Sequence, residues 1–483
     1  MTDQVARGMA AGALVADSAL ALLQRERWIP RGLNSPARVV MASPPTVTSS
    51  ASATLSGQTI YAAYQLGGAH LGANGQRFSY YRANQFTAIS KRIYGTHSHL
   101  DANTARGKMS VGFYHDGQNI EIIIPGQASG GTGGGSYPLF KVDDEYVTLT
   151  PQSLVADGND YYFKLAFADR ARRRIDVIGI TYFGGVVVEA NDSVDAAPIR
   201  GPKVIIVGDS ISGGAAGNYA DADSWPAIFA DAMGWDDVIS SSIGSTGYTT
   251  PGLYSFTARD RFTYDVSPYA PDIVIFADGR NDTGASGTVG AETLALFQQC
   301  ANALPKALRI VTSPIWISGP FGWNSTLVAT RDAIKASALA TGCLFIDTIE
   351  RPFARGYSGM SSVTGSGISI GATTFVMPAN TDPVLPVPST AVVGGERVYI
   401  KSGSGTLYTI DGAFAAAHAA GVAVTQVGDC LFTGHGSTGA PTGFGNCDLF
   451  TYTDLVHPNS LGHYPLGMEI AGQVYSQLSQ MRI

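Results

Sequence analysis

Lys203-Val204-Ile205-Ile206-Val207-Gly208-Asp209-Ser210 is the stretch whose reading decides the fold. Four successive apolar β-branched residues without polar alternation predict a short strand buried on both faces, as in a parallel sheet covered by helices on each side. A serine just past the C-terminal end of such a strand lies on the edge where α/β folds place their ligands. The style continues downstream. Ser224 reads as the N-cap of a helix with Pro226 in its first turn, Trp225, Phe229 and Met233 on one face, and Gly234 at its end. Further buried strands are predicted at 238–239, 272–277, 308–312 and 344–347, with helices over about 291–304, 325–341 and 460–480. Strands alternating with helices predict an α/β domain with a parallel sheet.

Upstream the pattern differs. Residues 1–30 read as a short amphipathic helix, and 31–55, rich in Pro, Ser, Ala and Thr, as a linker, so 1–55 is an N-terminal helix and linker. From 56 to 200 short runs alternate with period 2, predicting an antiparallel β-sandwich of jelly-roll type. Lys108 to Ile124 reads as a hairpin, with His115-Asp116-Gly117 between two strand-like runs. The basic cluster Arg170 to Arg174 reads as a solvated turn. The α/β domain is predicted over 201–357 and 449–483, interrupted at 358–448 by a Gly-, Thr-, Val- and Pro-rich segment. A structureless loop of that length does not suit a compact domain, so an inserted small β module is expected there. Arg397 to Lys401 and Thr406 to Ile410 are hairpin-like pieces of it.

A serine hydroxyl is a weak nucleophile and needs an adjacent base. Asp454-Leu455-Val456-His457-Pro458-Asn459 puts a carboxylate three residues before an imidazole. At that spacing Asp454 accepts from His457 Nδ1, which leaves Nε2 as base toward Ser210. Two more motifs follow strands of the same sheet: Ser242-Ile243-Gly244-Ser245-Thr246-Gly247, and Gly279-Arg280-Asn281-Asp282 after DIVIFAD. The backbone N–H groups of Ser210 and Gly244 and the side-chain amide of Asn281 then form a three-donor oxyanion hole, aimed at charge that develops in a tetrahedral transition state. Each motif alone is also an ordinary turn. Their order, each past the C-terminal end of its strand, carries the argument.

These four blocks, GDS at 208–210, GxxG at 244–247, GxND at 279–282 and DxxHP at 454–458, resemble the SGNH (GDSL-like) hydrolase family. The resemblance implies a flavodoxin-like three-layer α/β/α domain. It also implies a serine esterase with Ser210 as nucleophile, His457 as base, Asp454 orienting it, and Ser210, Gly244 and Asn281 as oxyanion donors. The family often has Asn two places before the block-two glycine, where this chain has Ser242. Asp209 and Asp282 are expected to brace their turns. A sandwich preceding such a domain resembles carbohydrate esterases, which implies O-deacetylation of a polysaccharide. The segment 367–427 resembles small β modules of bacteriophage tail proteins, which implies a virion or tail assembly and a bacterial surface glycan as substrate. The competing readings are a lipid or small-ester hydrolase of the same family and a non-enzymatic adhesin.

The remaining features narrow the class. Net charge is −7, and no Lys/Arg run forms a phosphate-binding stripe, so nucleic acid is not an expected partner; a homo-oligomer stays open. No stretch of about 20 apolar residues predicts a membrane span. The apolar patch Met9 to Leu23 contains Asp17, follows no basic cluster and does not read as a signal peptide, leaving localisation unassigned. Cys300 and Cys343 lie in apolar runs and read as core, while Cys430 and Cys447 flank a Gly-rich loop and could pair. With no CxxC, neither a metal nor another cofactor is expected.

Overall fold

The computed structural model describes residues 32–63, 77–96, 108–126, 136–152, 154, 157–217, 222–252, 254–282, 286–315, 325–348, 357–378, 389–404, 406–428, 432, 437–441 and 447–480. The expected helix over 1–30 and Cys430, half of the suggested cysteine pair, lie outside them.

Five parallel strands form the centre of the α/β domain: β1 (Val204–Gly208), β2 (Val238–Ser242), β3 (Ile273–Ala277), β4 (Leu308–Thr312) and β5 (Leu344–Ile346), in the order β2-β1-β3-β4-β5. Alternate residues of β1 serve opposite layers. Val204 and Ile206 face a core shared with helices α1 (Trp225–Met233) and α4 (Ser460–Gln480). Ile205 and Val207 face a core shared with α2 (Ser286–Ala303) and α3 (Ser325–Ala340). The domain is thus a three-layer α/β/α sandwich. Helix α1 begins after Ser224 with proline in its first turn and ends on Gly234 at φ 66°, a left-handed cap that glycine adopts without steric cost. One expectation needs correction, since all nine residues of α1 are buried rather than one face. Helix α4 covers one side, and the segment around Asn34 covers another, its N–H and side-chain amide donating to the carbonyls of Ala232 and Asp231.

Before this domain lie two larger antiparallel sheets and a three-stranded one ordered Tyr182–Phe183, Arg92–Thr96, Gln85–Ile89. Of the larger two, one runs in the order Thr46–Ser50, Asp160–Ala166, Asn119–Pro125, Gly185–Val188, Gln58–Tyr61; the other in the order Val194–Ala196, Met109–His115, Arg173–Ile180, Leu139–Val142, Glu145–Tyr146, with Ser79–Tyr81 beside Met109–His115. Their inner faces share one core, in which Ile120, Ile122 and Phe163 meet Val111, Phe113 and Ile175.

Three sequence readings are corrected here. Residues 46–50, read as linker, form an edge strand paired with Asp160–Ala166, because TVTSS is β-branched and completes the sheet. The segment Lys108 to Ile124 is not a hairpin. Met109–His115 pairs with Arg173–Ile180 and Asn119–Pro125 with Asp160–Ala166, so the Asp116-Gly117 connection arches from one sheet to the other. Both strands carry inward apolar residues that meet across the sandwich, and the arch is tied down by the Asp116 carboxylate, which accepts from Ser193 N and Oγ at 2.6 and 3.0 Å. Nor is Arg170 to Arg174 wholly a solvated turn. Arg174 is buried, donating to Asp176 at 2.8 Å and to Asp236 of the α/β domain at 2.9 Å.

The described residues between 357 and 428 form a separate six-stranded antiparallel sheet, ordered Tyr357–Val363, Ala423–Gly428, Ser389–Val393, Glu396–Ser404, Leu407–Asp411, Thr374–Val376. Ile368 and His418 exchange backbone hydrogen bonds of 2.8 Å in both directions, and Val393, Ile400 and Val424 belong to a core of its own. No helix among the described residues is long and apolar enough to cross a membrane.

The sandwich is joined to the α/β domain by buried charge. Asp231 on α1 receives Arg38 Nε at 2.8 Å and the Tyr146 hydroxyl at 2.7 Å, with Lys141 Nζ at 3.5 Å and Arg82 at 3.7 Å. Burial raises the Asp231 pKa, but Lys141, Arg38 and Arg82 outweigh it and hold the carboxyl well below the usual range. This stabilisation is therefore complete above the unfolded carboxylate pKa of about 3.9 and declines as pH falls below it. Asp231→Ala leaves three cations around an empty carboxylate site and should cost about 3–5 kcal/mol at neutral pH in urea denaturation; a loss under ~1 kcal/mol would show that the seam does not depend on this carboxylate.

Candidate active site

In an open sheet of this order the crevice lies where the winding reverses, at the C-terminal ends of β1 and β3. β1 delivers Ser210 there. The turn is tight: Ile211 N–H donates to Asp209 Oδ1 at 2.8 Å, Gly213 N–H to the Asp209 carbonyl at 3.0 Å and Ala215 N–H to the Ser210 carbonyl at 2.9 Å. The imidazole arrives from the loop before α4, closed by a backbone bond from Tyr452 N–H to the His457 carbonyl at 2.9 Å. Asp454 Oδ1 accepts from the N–H groups of Val456 and His457 at 2.9 and 3.0 Å, which fixes the carboxylate. Its Oδ2 lies 2.6 Å from His457 Nδ1, and His457 Nε2 lies 2.7 Å from Ser210 Oγ. Burial raises the Asp454 pKa, while the His457 hydrogen bond and the two backbone donors pull it below the usual carboxylate range. An ionised carboxylate at Nδ1 favours the tautomer with its proton there, which leaves the Nε2 lone pair toward Ser210 Oγ.

The other side of the crevice carries Gly244 and Asn281. Among the described residues, the N–H groups of Ser210 and Gly244 donate to no other group. Asn281 Nδ2 donates to the Thr246 carbonyl at 2.8 Å and lies 3.4 Å from Asp209 Oδ2. Asp282 braces this loop, as expected, with a carboxylate that accepts from Tyr248 N at 2.7 Å, Thr249 N at 2.9 Å, Thr249 Oγ1 at 2.7 Å and Thr250 N at 3.0 Å. Gly247 is required for that approach, since a Cβ there would stand 2.4 Å from Asp282 Oδ1. At Ser242 the bracing is done by hydroxyls. Ser242 Oγ is 2.8 Å from Ser240 Oγ, which donates to the Ser212 carbonyl at 2.9 Å and so ties β2 to the serine turn.

The GDSL-like lipase/acylhydrolase family model matches residues 206–363, which include Ser210, Gly244 and Asn281. Over that segment the α/β domain is similar to this family, the SGNH hydrolases. No curated protein sequence matches the chain. Among solved structures, a family two carbohydrate esterase from Cellvibrio japonicus is similar with TM-score 0.44 and 13% identity, over 64% of this chain and 91% of that one. A salicylyl-acyltransferase from a tetracycline biosynthetic pathway is similar with TM-score 0.44 and 15% identity, over 57% and 83%. An acetyl xylan esterase from the rumen bacterium Butyrivibrio proteoclasticus is similar with TM-score 0.39 and 13% identity, over 55% and 90%. The activity class of this SGNH domain is that of an ester hydrolase.

The sequence pattern missed Arg261. Its guanidinium is fully buried beneath the SGNH site. Nη1 donates to the Gly208 carbonyl at 3.0 Å, directly before the Asp209-Ser210 turn, and Nη2 donates to the Ser241 carbonyl at the end of β2. Asp265 lies 3.4 Å from Nε and also accepts from Ser241 Oγ at 3.1 Å. Asn84 of the sandwich region donates to the Asp265 carbonyl at 3.0 Å. One cation thus ties the end of β1, before Ser210, to the end of β2, before Gly244. The only local signal was the Thr257/Asp260 capping box opening the helix Ala258–Arg261.

Asp209 is buried, and burial pushes its pKa up to about 6 against the Ile211 N–H, His457 and Arg280. The folded protein therefore holds this proton more tightly than the unfolded chain, so stability is lost as pH rises from the unfolded value of about 3.9 through the folded one. Asp209→Asn should be more stable than the parent by on the order of 1–3 kcal/mol at pH ~8, with the gain vanishing near pH ~4. Equal effects at both pH values in urea denaturation would contradict the assignment. Arg261→Lys keeps a cation for Asp265 but cannot span both carbonyls. It should lower kcat on a small ester about 10–100-fold with KM nearly unchanged; a folded variant with parental kcat would remove Arg261 from the alignment of the site.

Proposed function

We propose that the chain is a serine esterase working through an acyl-enzyme, and that its substrate is an O-acetylated polysaccharide. The observation that carries the mechanism is the continuous line of Asp454, His457 and Ser210, with spacings of 2.6 and 2.7 Å. His457 Nε2 takes the proton as Ser210 Oγ adds to the ester carbonyl. The N–H groups of Ser210 and Gly244, and the Asn281 amide hydrogen that turns from its long 3.4 Å contact with Asp209 Oδ2, receive the negative oxygen. His457 returns the proton to the leaving alcohol. A water, activated in the same way, then releases the acid.

Support for the polymeric substrate comes from the inserted segment, whose Thr-, Ser- and Gly-rich composition suits hydroxyl recognition. In chain order it follows β5 and precedes Asp454, and the C-terminal ends of parallel strands are the edge where such folds bind ligands. Its resemblance to phage tail modules supports a virion-borne enzyme acting on a bacterial surface glycan. One observation favours a lipid or small-ester substrate instead: Leu449, Tyr452, Leu455 and Leu461, around the His457 loop, are all exposed.

Two assays test these readings. Acetate release should be measured from acetylated glycans and from p-nitrophenyl esters of increasing chain length. The glycan reading expects acetate release from polymer and a preference for acetyl over long acyl groups; the reverse preference selects the lipid reading. Ser210→Ala should retain the fold and less than ~1% of parental kcat, since loss of a triad serine usually costs far more. A variant above that level is inconsistent with Ser210 as nucleophile.

A further inference from the structure

A groove of about 790 Å³, whose lining includes none of the residues of the mechanism above, reaches the Tyr248-Thr249 turn that Asp282 holds. That turn, held next to Asn281, forms its upper end. One wall is the stripe Thr288, Glu292 and Gln299 of α2, at spacings of four and seven residues that keep them on one helix face. The stripe runs away from the catalytic edge for roughly 16 Å at 1.5 Å per residue. The facing wall is the stretch from Phe256 to Tyr264. Two links cross the groove: Arg259 to Glu292 at 3.2 Å and Gln299 Nε2 to Thr263 Oγ1 at 3.3 Å.

We infer that this groove is a subsite for a neutral glycan chain whose esterified sugar lies at Ser210. The inference rests on the polysaccharide reading above and names where that polymer lies. Four features point to this occupant. The lining is mostly hydroxyl, amide and charged side chains, unlike the apolar lining of pockets for acyl chains and other small organic ligands. Within it Tyr264 is 51% exposed, with Phe256 packed against it edge to face at 6.2 Å, a rigid aromatic surface on which the C–H face of a sugar can lie. Two carboxylates, Asp260 and Glu292, stand against one guanidinium, Arg259, a balance that disfavours an anionic polymer.

The fourth feature is backbone geometry. Phe262–Val266 is a π-helical turn, and Ser255 just before the wall has φ 63°. Such turns are rare and concentrate at functional sites. Here the turn aims Tyr264 and Thr263 outward into the groove. Arg261 and Asp265 of the same segment lie buried against the Gly208 and Ser241 ends of β1 and β2. The groove wall and the support of the nucleophile are thus one rigid piece, which holds a chain in the groove in fixed register with Ser210.

The test is the chain-length dependence of KM on chemically acetylated xylo-oligosaccharides, from monomer to hexamer. In the parent, KM should fall as the chain lengthens. In Phe256→Ala/Tyr264→Ala the hexamer KM should rise at least about tenfold, ~1.4 kcal/mol, and approach that of the monomer, with turnover of p-nitrophenyl acetate unchanged. Thr288→Trp, at an exposed helix position, fills the groove instead of stripping it and should do the same. The same length dependence in both variants as in the parent overturns the subsite. A parent that hydrolyses p-nitrophenyl acetate but none of the acetylated sugars overturns the polysaccharide reading itself, and the subsite with it.

Discussion

The position of β1 between β2 and β3 is the constraint on which the rest of the structure depends. Because all three strands are parallel, their C-terminal ends open into one crevice, and the loops that follow them must meet there. Ser210, Gly244 and Asn281 follow β1, β2 and β3 in turn. They are brought together by strand order, although the outer pair is separated by 71 positions from 210 to 281. The imidazole comes from the far end of the chain and reaches the same point because α4 packs beside α1 over β1. The intervening antiparallel sheet follows β5, the edge strand, in chain order and, among the described residues, pairs with no strand of the parallel sheet.

Polar groups buried beneath the crevice give this arrangement its precision, and some of them cost stability. Asp209 is held in a place that resists its charge, and its proton is retained to about pH 6. Arg261 and Asp265 lie fully buried and satisfy carbonyls at the ends of two strands. A buried pair of this kind is weak evidence for stability but fixes geometry well. Asn84 extends the network into the sandwich, and the Asp231 cluster closes the seam below it. The sandwich is consequently part of the scaffold that supports the nucleophile, through hydrogen bonds as well as contact.

The parts of this fold that were legible in the sequence are those set by local periodicity. KVIIVG gave a doubly buried strand, Ser224 and Gly234 bounded α1, and GDS and DxxHP pointed to Ser210, Asp454 and His457, which lie in hydrogen-bond contact. The parts that were not legible depend on long-range pairing. Asp116-Gly117 has the chemistry of a hairpin turn, yet the strands on either side found better partners in opposite sheets, which no local pattern encodes. Arg174 read as part of a solvated turn and Arg261 drew no reading, because their partners, Asp236 and the Gly208 carbonyl, are distant in sequence. Thr46 to Ser50 lies in a segment whose Pro, Ser and Ala content hid a strand that exists only because Asp160–Ala166 offers it an edge.

The central claim is that Ser210 is the nucleophile, activated by its contact with His457. It is tested most directly by titrating the enzyme with a fluorophosphonate ester and locating the adduct by mass spectrometry. The account predicts one phosphonyl group per chain, on Ser210, with esterase activity lost in proportion to labelling and with no labelling in His457→Ala on the same timescale. Loss of activity with the adduct on another residue, or full activity with Ser210 phosphonylated, would contradict it.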